Sequence, residues 1–303
     1  MLAHGLRTIE VEKIRDFMMS GSVSFVARSF VLMIFLGDSC GADFLQSREF
    51  AQQCKMPGIW AVDETSPDGD VISLKSPGVL AATVTVTIES KNVTVSRQVP
   101  FTIDVVSKNS TELLRLRRND LIHSRYTWDV HWAPGGRSVL PLKKVVYALP
   151  YAGPAKYTVI QGAYGDFSHK AGSGFENAID WQMPVGTKVY AARSGTVIAV
   201  KDDSSLGGAG LEFVKCANFV VIRHDDDTYG SYQHLRNGGV LVKVGDKVKE
   251  GDPIALSGDT GRSTIPHLHF DVFRNIDGYH RVTYPLLFKT EAGLQELQEG
   301  QRY

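Results

Sequence analysis

Strand patterns run through most of this chain and restrict it to β-structure. Polar and apolar residues alternate at a period of two from Ala82 to Ile88. Residues 195–201, 219–224 and 268–273 are short, largely apolar runs that are also typical of strands. Successive side chains of a strand point to opposite faces, so the pattern is typical of strands with one buried face. Helical periodicity is nearly absent until Glu291–Gln298, a short polar stretch. We therefore predict an all-β protein of short strands.

The length of 303 residues favours a chain with more than one domain, since domains average roughly 100–200 residues. The strand pattern predicts a smaller β-rich domain over residues 43–150 and a second β-rich domain over residues 151–289. A polar carboxyl-terminal tail is predicted over residues 290–303. The first domain shows turn signals between its strands but no metal-ligand spacing, so its role is left open.

Residues 1–42 are predicted to be a signal peptide. Arg28 precedes a short apolar run and a group of small residues that suits a cleavage site. That run is too short to span a bilayer. Met18 or Met19 is an alternative start, because the preceding residues are unusually charged for a signal peptide, and Cys40 is a weaker candidate for lipid attachment. We therefore expect an exported protein, periplasmic, in the cell envelope or secreted, whose mature chain has no membrane span.

The charge and cysteine content exclude some classes of function. Lys and Arg number 33, Asp and Glu also number 33, and the formal net charge is zero. Nucleic acid is therefore not an expected partner, since no excess of basic residues would attract it. Three cysteines are too few for a disulfide framework or a cysteine-rich zinc cluster, and whether Cys54 and Cys216 pair is left open. A metal site in this chain would use histidine and carboxylate ligands.

Histidines of the second domain have the spacing of a metal centre. His267 and His269 alternate by two, so in a strand both imidazoles point to the same face. Asp180 lies between apolar residues, where an unpaired charge would be costly unless it is paired or bound to metal. His234 follows another alternating segment. Together these residues favour a hydrolytic zinc centre with three protein ligands and one position for water.

Four segments carry a more specific likeness to a known family. They are residues 258–270, with the sequence GDTGRSTIPHLHF, and residues 232–235, 244–251 and 179–187. Taken in their order along the chain, these segments resemble the lysostaphin-type, or LytM-domain, zinc metalloendopeptidases over roughly residues 160–275.

The resemblance implies a fold, an activity and site residues. The implied fold is a compact antiparallel β-sheet of the barrel-sandwich-hybrid kind. The implied zinc ligands are Asp180 and His269, and the implied catalytic residues are His234 and His267. The implied activity is hydrolysis of peptide cross-links or bridges of bacterial peptidoglycan, whose peptides would be the partner. The oligomeric state is not implied.

The third zinc ligand has two candidates. The usual family motif places a histidine four residues before the aspartate, and Glu176 stands there in this chain. His169 lies farther upstream across a glycine-containing loop, as in staphylolysin-like members, and we favour it because imidazole is the commoner zinc ligand. If Glu176 instead marks a lost ligand, the chain would be a non-catalytic LytM-domain regulator or scaffold that binds cell wall or activates an amidase. His224 is expected to be structural or to support a ligand from outside the metal shell.

Overall fold

The computed structural model describes residues 50–56, 58–66, 69–77, 81–106, 110–120, 123–137 and 145–303. The predicted signal peptide, with Met18, Met19, Arg28 and Cys40, lies outside these residues. Nearly all of the described regular structure is β-strand, with a helical turn at residues 50–53 and a 3-10 helix at Leu211–Cys216. The all-β prediction is confirmed.

The first domain contains two antiparallel sheets, ordered β1-β2-β6-β4 and β5-β3-β7. The long alternating segment at residues 82–88 is part of the central strand of the second sheet. Buried aliphatic and aromatic side chains from both sheets form one core. Within the described residues its strands are β1 (Trp60–Ser66), β2 (Gly69–Lys75), β3 (Ala81–Lys91), β4 (Val93–Val95), β5 (Phe101–Val106), β6 (Thr111–Arg118) and β7 (Arg125–Pro134).

The second domain is built around an antiparallel sheet ordered β17-β12-β14-β15-β20-β10-β9, with β21 paired to β20. Smaller sheets, β11-β18-β16, β13-β19 and β23-β22-β8, flank it. Its strands are β8 (Val145–Ala148), β9 (Val159–Gln161), β10 (Ile179–Gln182), β11 (Lys188–Tyr190), β12 (Gly195–Lys201), β13 (Gly207–Gly208), β14 (Phe219–Arg223), β15 (Tyr229–Gln233), β16 (Leu235–Val240), β17 (Lys247–Val248), β18 (Pro253–Ser257), β19 (Gly261–Arg262), β20 (His267–Asn275), β21 (Arg281–Thr283), β22 (Leu286–Thr290) and β23 (Gly293–Gln295).

Strand pairing extends beyond both predicted ends of the second domain. Strand β8 falls inside the predicted first domain, yet it pairs in parallel with β22. The predicted tail contains β23, which pairs with β22, and Leu297, which is buried in the second core. Backbone hydrogen bonds also attach the tail, since Val159 N–H donates to the carbonyl of Gln301 and Gly300 N–H donates to the carbonyl of Val159. Pairing of this kind has no pattern in the sequence of the tail.

Strand β20 belongs to two cores. Leu268, Phe270 and Val272 point to one face and pack into the core of the second domain. On the opposite face the strand carries His267, His269 and Asp271, and Phe273 at its far end enters the core of the first domain. The first domain therefore packs against the sheet face that carries the histidines.

A disulfide bond also joins the start of the described chain to the second domain. Cys54, just after the helical turn, is bonded to Cys216 at the end of the 3-10 helix. Phe50 contacts the ring of Phe213 edge-on, with centroids 5.6 Å apart. The pairing that the sequence left open is therefore present, across 162 residues of chain.

Candidate metal centre

The pairing of β10 with β20 brings the first two candidate ligands together. Asp180 lies opposite His269 in the antiparallel register, and its Oδ1 is 2.8 Å from His269 Nδ1. Both side chains are buried. Residues directly opposite one another in such a pair project to the same face, which is why two positions 89 residues apart meet at one point.

His169 completes a buried group of three potential ligands. Its Nδ1 donates to the carbonyl of Gly162 at 2.9 Å, which leaves Nε2 directed towards Asp180, with Oδ2 3.4 Å away. Nε2 makes no hydrogen bond of good geometry to any described residue. Ligand atoms of His169, Asp180 and His269 all lie within 4.8 Å of one another. Two imidazoles and a carboxylate at this separation fit a zinc ion.

Glu176, the other candidate, is not in this group. Its carboxylate accepts hydrogen bonds from the backbone N–H of Gly174 at 3.2 Å and from the hydroxyl of Thr283 at 3.3 Å. The carboxylate therefore braces the loop between His169 and Asp180. Gly172 and Gly174 both have positive φ in this loop, a conformation that glycine adopts without steric cost.

His234 and His267 lie beside the group, with ring centroids 4.4 Å apart. His234 Nδ1 donates to the carbonyl of Thr260 at 2.7 Å. His267 Nδ1 contacts the carbonyl of Ile265 at 2.8 Å and the hydroxyl of Ser263 at 3.0 Å. Because Nδ1 is occupied in both rings, Nε2 is the nitrogen available to a bound molecule.

The backbone at His234 has φ of 62°, in the left-handed region that residues other than glycine seldom occupy. Such conformations persist where the surroundings over-determine them, often at functional sites. Here the residue lies between β15 and β16, and the bond to Thr260 holds its ring in place.

The ionisation of the cluster follows from burial and from its two carboxylates. Burial alone would lower the pKa of His269, but Asp180 and Asp271 outweigh it and raise the pKa to about 9. Burial would raise the pKa of Asp180, but the His269 charge holds that pKa well below its usual range. Burial and the neighbouring imidazoles lower the pKa of His234 to about 3.

Three residues of the site were missed at the sequence level. Gln161 donates from Nε2 to Asp180 Oδ2 at 3.0 Å. On the other side Asp271 contacts His269, and Arg281 donates to Asp271. Asp271 could have been found, because it continues the period-two face of His267 and His269. No pattern in the sequence indicated Gln161 or Arg281, since their contacts depend on the pairing of β9 with β10 and of β21 with β20.

The remaining histidines of the second domain lie away from the cluster. His224 is 2% exposed, donates from Nδ1 to the carbonyl of Ser194 and packs edge-on against Tyr147. The position is structural. The exposed His280 contacts Asp277 on the surface.

A polar pocket of about 580 Å³ opens next to His267. It shares Ser263 with the hydrogen-bond partners of that histidine. The other lining residues are small or polar: Ser205, Gly207, Gly208, Ala209, Asp259 and Thr264. Among the described residues, no helix is both long and apolar enough to cross a bilayer.

Comparison with known proteins identifies the domain that holds this site. Residues 174–280 match Peptidase family M23. Peptidoglycan DD-endopeptidase ShyA of Vibrio cholerae is 40% identical over 96 residues, 32% of this chain and 20% of that protein. Glycyl-glycine endopeptidase ALE-1 of Staphylococcus capitis is 33% identical over 131 residues, 43% of this chain and 33% of that protein. The crystallised catalytic domain of lysostaphin from Staphylococcus simulans is 29% identical, with a TM-score of 0.29, over 47% of this chain and 87% of that one.

The second domain is thus a metallopeptidase domain of LytM type. Residues 174–280 of this domain match peptidase family M23, and the resemblance found in the sequence is confirmed. The family and the buried His169, Asp180 and His269 group agree on zinc as the cofactor. The chain spans only about a fifth of the ShyA protein and a third of ALE-1.

Proposed function

We propose that this chain is an exported zinc metalloendopeptidase that hydrolyses peptide cross-links or bridges of bacterial peptidoglycan. The observation that carries the proposal is the buried cluster in which His169, Asp180 and His269 face one another beside His234 and His267. The relatives named above are peptidoglycan and glycyl-glycine endopeptidases, which supports a cell-wall peptide as substrate. Export is supported by the location of such a substrate in the cell wall and by the signal peptide predicted over residues 1–42.

His169, Asp180 and His269 are the proposed zinc ligands. A zinc ion bound by three such residues supplies an acidified water molecule and polarises a peptide carbonyl. His169 is preferred to Glu176 because its Nε2 is buried without a hydrogen bond to a described residue, whereas the Glu176 carboxylate is engaged by Gly174 and Thr283.

His234 and His267 are the proposed catalytic residues. With Nδ1 tied to a backbone carbonyl in each ring, Nε2 of one can accept the proton of the attacking water and return it to the leaving amine. The other can donate a hydrogen bond to the oxygen on which negative charge develops. The polar pocket beside His267 would receive one side of the peptide.

The proposal is tested by zinc content and by hydrolysis measured on the same variants. We expect about one zinc per chain and release of new amino groups from purified peptidoglycan. His269→Ala should lose both metal and activity, since it removes a ligand. His234→Ala should keep the metal and lose turnover. His280→Ala is the matched control, because that histidine is exposed on the surface.

The outcomes separate the enzyme from the alternatives. Hydrolysis retained by His269→Ala would contradict the assigned chemistry. A folded wild-type protein that binds no zinc would favour the non-catalytic regulator or scaffold instead. If Glu176→Ala loses zinc and His169→Ala does not, the third ligand has been assigned wrongly.

A further inference from the structure

Asp271 is a carboxylate at the metal centre that the proposed chemistry does not use. It lies two residues after His269 on the same face of β20, and it is fully buried. Its Oδ2 is 2.9 Å from His269 Nε2, the ring nitrogen that does not face Asp180. A buried carboxylate is costly unless donors or positive charges surround it, so this placement requires compensation.

Arg281 supplies that compensation from β21. Its Nη2 donates to the same Oδ2 of Asp271 at 2.8 Å. Its Nε donates to the carbonyl of Gly174 at 3.1 Å. The guanidinium carbon lies 4.0 Å from the ring centroid of Phe175 and 4.6 Å from that of Phe273. Two hydrogen bonds and two aromatic rings restrict the guanidinium to one orientation. A planar guanidinium can make all of these contacts, and a lysine ammonium cannot.

The same strand holds the loop that leads from His169 to Asp180. Thr283 lies two strand positions after Arg281, and its hydroxyl accepts a hydrogen bond from the backbone N–H of Asn177 at 3.0 Å. Phe175 packs edge-on against the ring of His269, with centroids 5.4 Å apart. Arg281 thus touches both the carboxylate behind His269 and the loop that contacts its ring. It lies just beyond residues 174–280, which match the family.

We propose that Asp271 and Arg281 are positioning residues for the metal ligand His269. By accepting the Nε2 proton, Asp271 fixes the tautomer in which Nδ1 faces Asp180 and His169. Carboxylates that accept from the outer nitrogen of a ligating histidine orient the ring and increase its basicity. Arg281 holds Asp271 in that geometry and couples it to the loop at Gly174. This inference rests on the zinc site of the proposed function.

The experiment measures zinc affinity by competition with a chromogenic chelator. Asp271→Asn retains an acceptor oxygen but loses the charge and places an amide against Arg281. Arg281→Lys keeps the charge but loses the planar fork, so it tests the geometry in a protein whose fold should be preserved. Asp277→Asn and Arg274→Lys are matched controls. Asp277 serves a surface turn, and Arg274 donates to the backbone carbonyl of Asn275 rather than to a group of the metal centre.

We expect Asp271→Asn to bind zinc about 10- to 100-fold more weakly than the wild type, as is usual when an outer partner of a ligand is lost. Arg281→Lys should weaken binding in the same direction by a smaller factor, and both controls should remain within twofold of the wild type. The visible absorption of the cobalt(II)-substituted protein should change in Asp271→Asn, because the orientation of one ligand changes. At saturating zinc, kcat should fall while KM stays nearly constant.

Two results distinguish this inference from the function on which it rests. If the wild type binds zinc and both variants bind it within twofold with an unchanged cobalt spectrum, the positioning role is overturned and the peptidase proposal stands. If the folded wild type binds no zinc, the proposed function fails, and the positioning role fails with it.

Discussion

His224 should make the stability of this protein depend on pH below neutrality. The imidazole is buried, donates from Nδ1 to the carbonyl of Ser194 at 2.8 Å and packs against Tyr147. Its Nε2 has no hydrogen-bond partner among the described residues. Burial lowers the pKa of His224 from 6.5 to about 4, and the bond to Ser194 opposes this only in part.

The sign follows from the protons bound in each state. Between pH 6.5 and about 4 the unfolded chain protonates this histidine while the folded protein keeps it neutral. The unfolded state then binds more protons, so stability falls as the pH falls through this window and is fully present above it. At about 1.4 kcal/mol per pH unit the full loss is about 3 kcal/mol, of which about 2 kcal/mol has gone by pH 5.

Urea unfolding of metal-free wild type and His224→Asn, each at pH 7.5 and pH 5, isolates this effect. Asparagine can keep the hydrogen bond to Ser194 and does not titrate, and all other ionisable groups are common to both proteins. The wild type should lose about 2 kcal/mol more than the variant between the two pH values. His280→Asn, at an exposed position, should follow the wild type. Equal losses in wild type and His224→Asn, to within about 0.5 kcal/mol, would refute the reasoning.

Two further predictions concern the contact between the domains. Phe273→Ala should destabilise the protein by about 3–5 kcal/mol in denaturant unfolding, because Phe273 is 1% exposed within the first core. Phe167→Ala, at a residue 58% exposed, should change stability by less than about 0.5 kcal/mol. Equal losses of stability in the two variants would contradict the shared core. Replacing both Cys54 and Cys216 by serine should cost up to about 5 kcal/mol of unfolding free energy from the entropy of the released chain, since the bond spans 162 residues; an unchanged unfolding midpoint would show that it does not constrain the unfolded chain.

Local periodicity predicted the part of the site that lies on a single strand. A period of two places His267 and His269 on one face whatever the exact start of β20. In the structure both side chains lie on that face. It does not say which strand pairs with β20, so the contact between Asp180 and His269 required the family motif. The order of motifs carried that information, whereas composition did not.

The choice between His169 and Glu176 could not be made from spacing, because it depends on the path of a loop. The loop folds so that Gly162 orients the imidazole of His169, while Thr283 and Gly174 engage the carboxylate of Glu176. Those contacts come from residues that are distant in sequence and have no pattern of their own. The Cys54–Cys216 bond was undetermined for the same reason.

The two faces of β20 explain why the fold and the site depend on each other. One face is apolar throughout, and Leu268, Phe270 and Val272 fix the strand on the core beneath it. Along the other face the residues change from polar at His267 to apolar at Phe273. The nine residues of the strand therefore connect the site to the first-domain core. Asp271 lies between the two environments, since it is two residues before Phe273 and its carboxylate contacts His269.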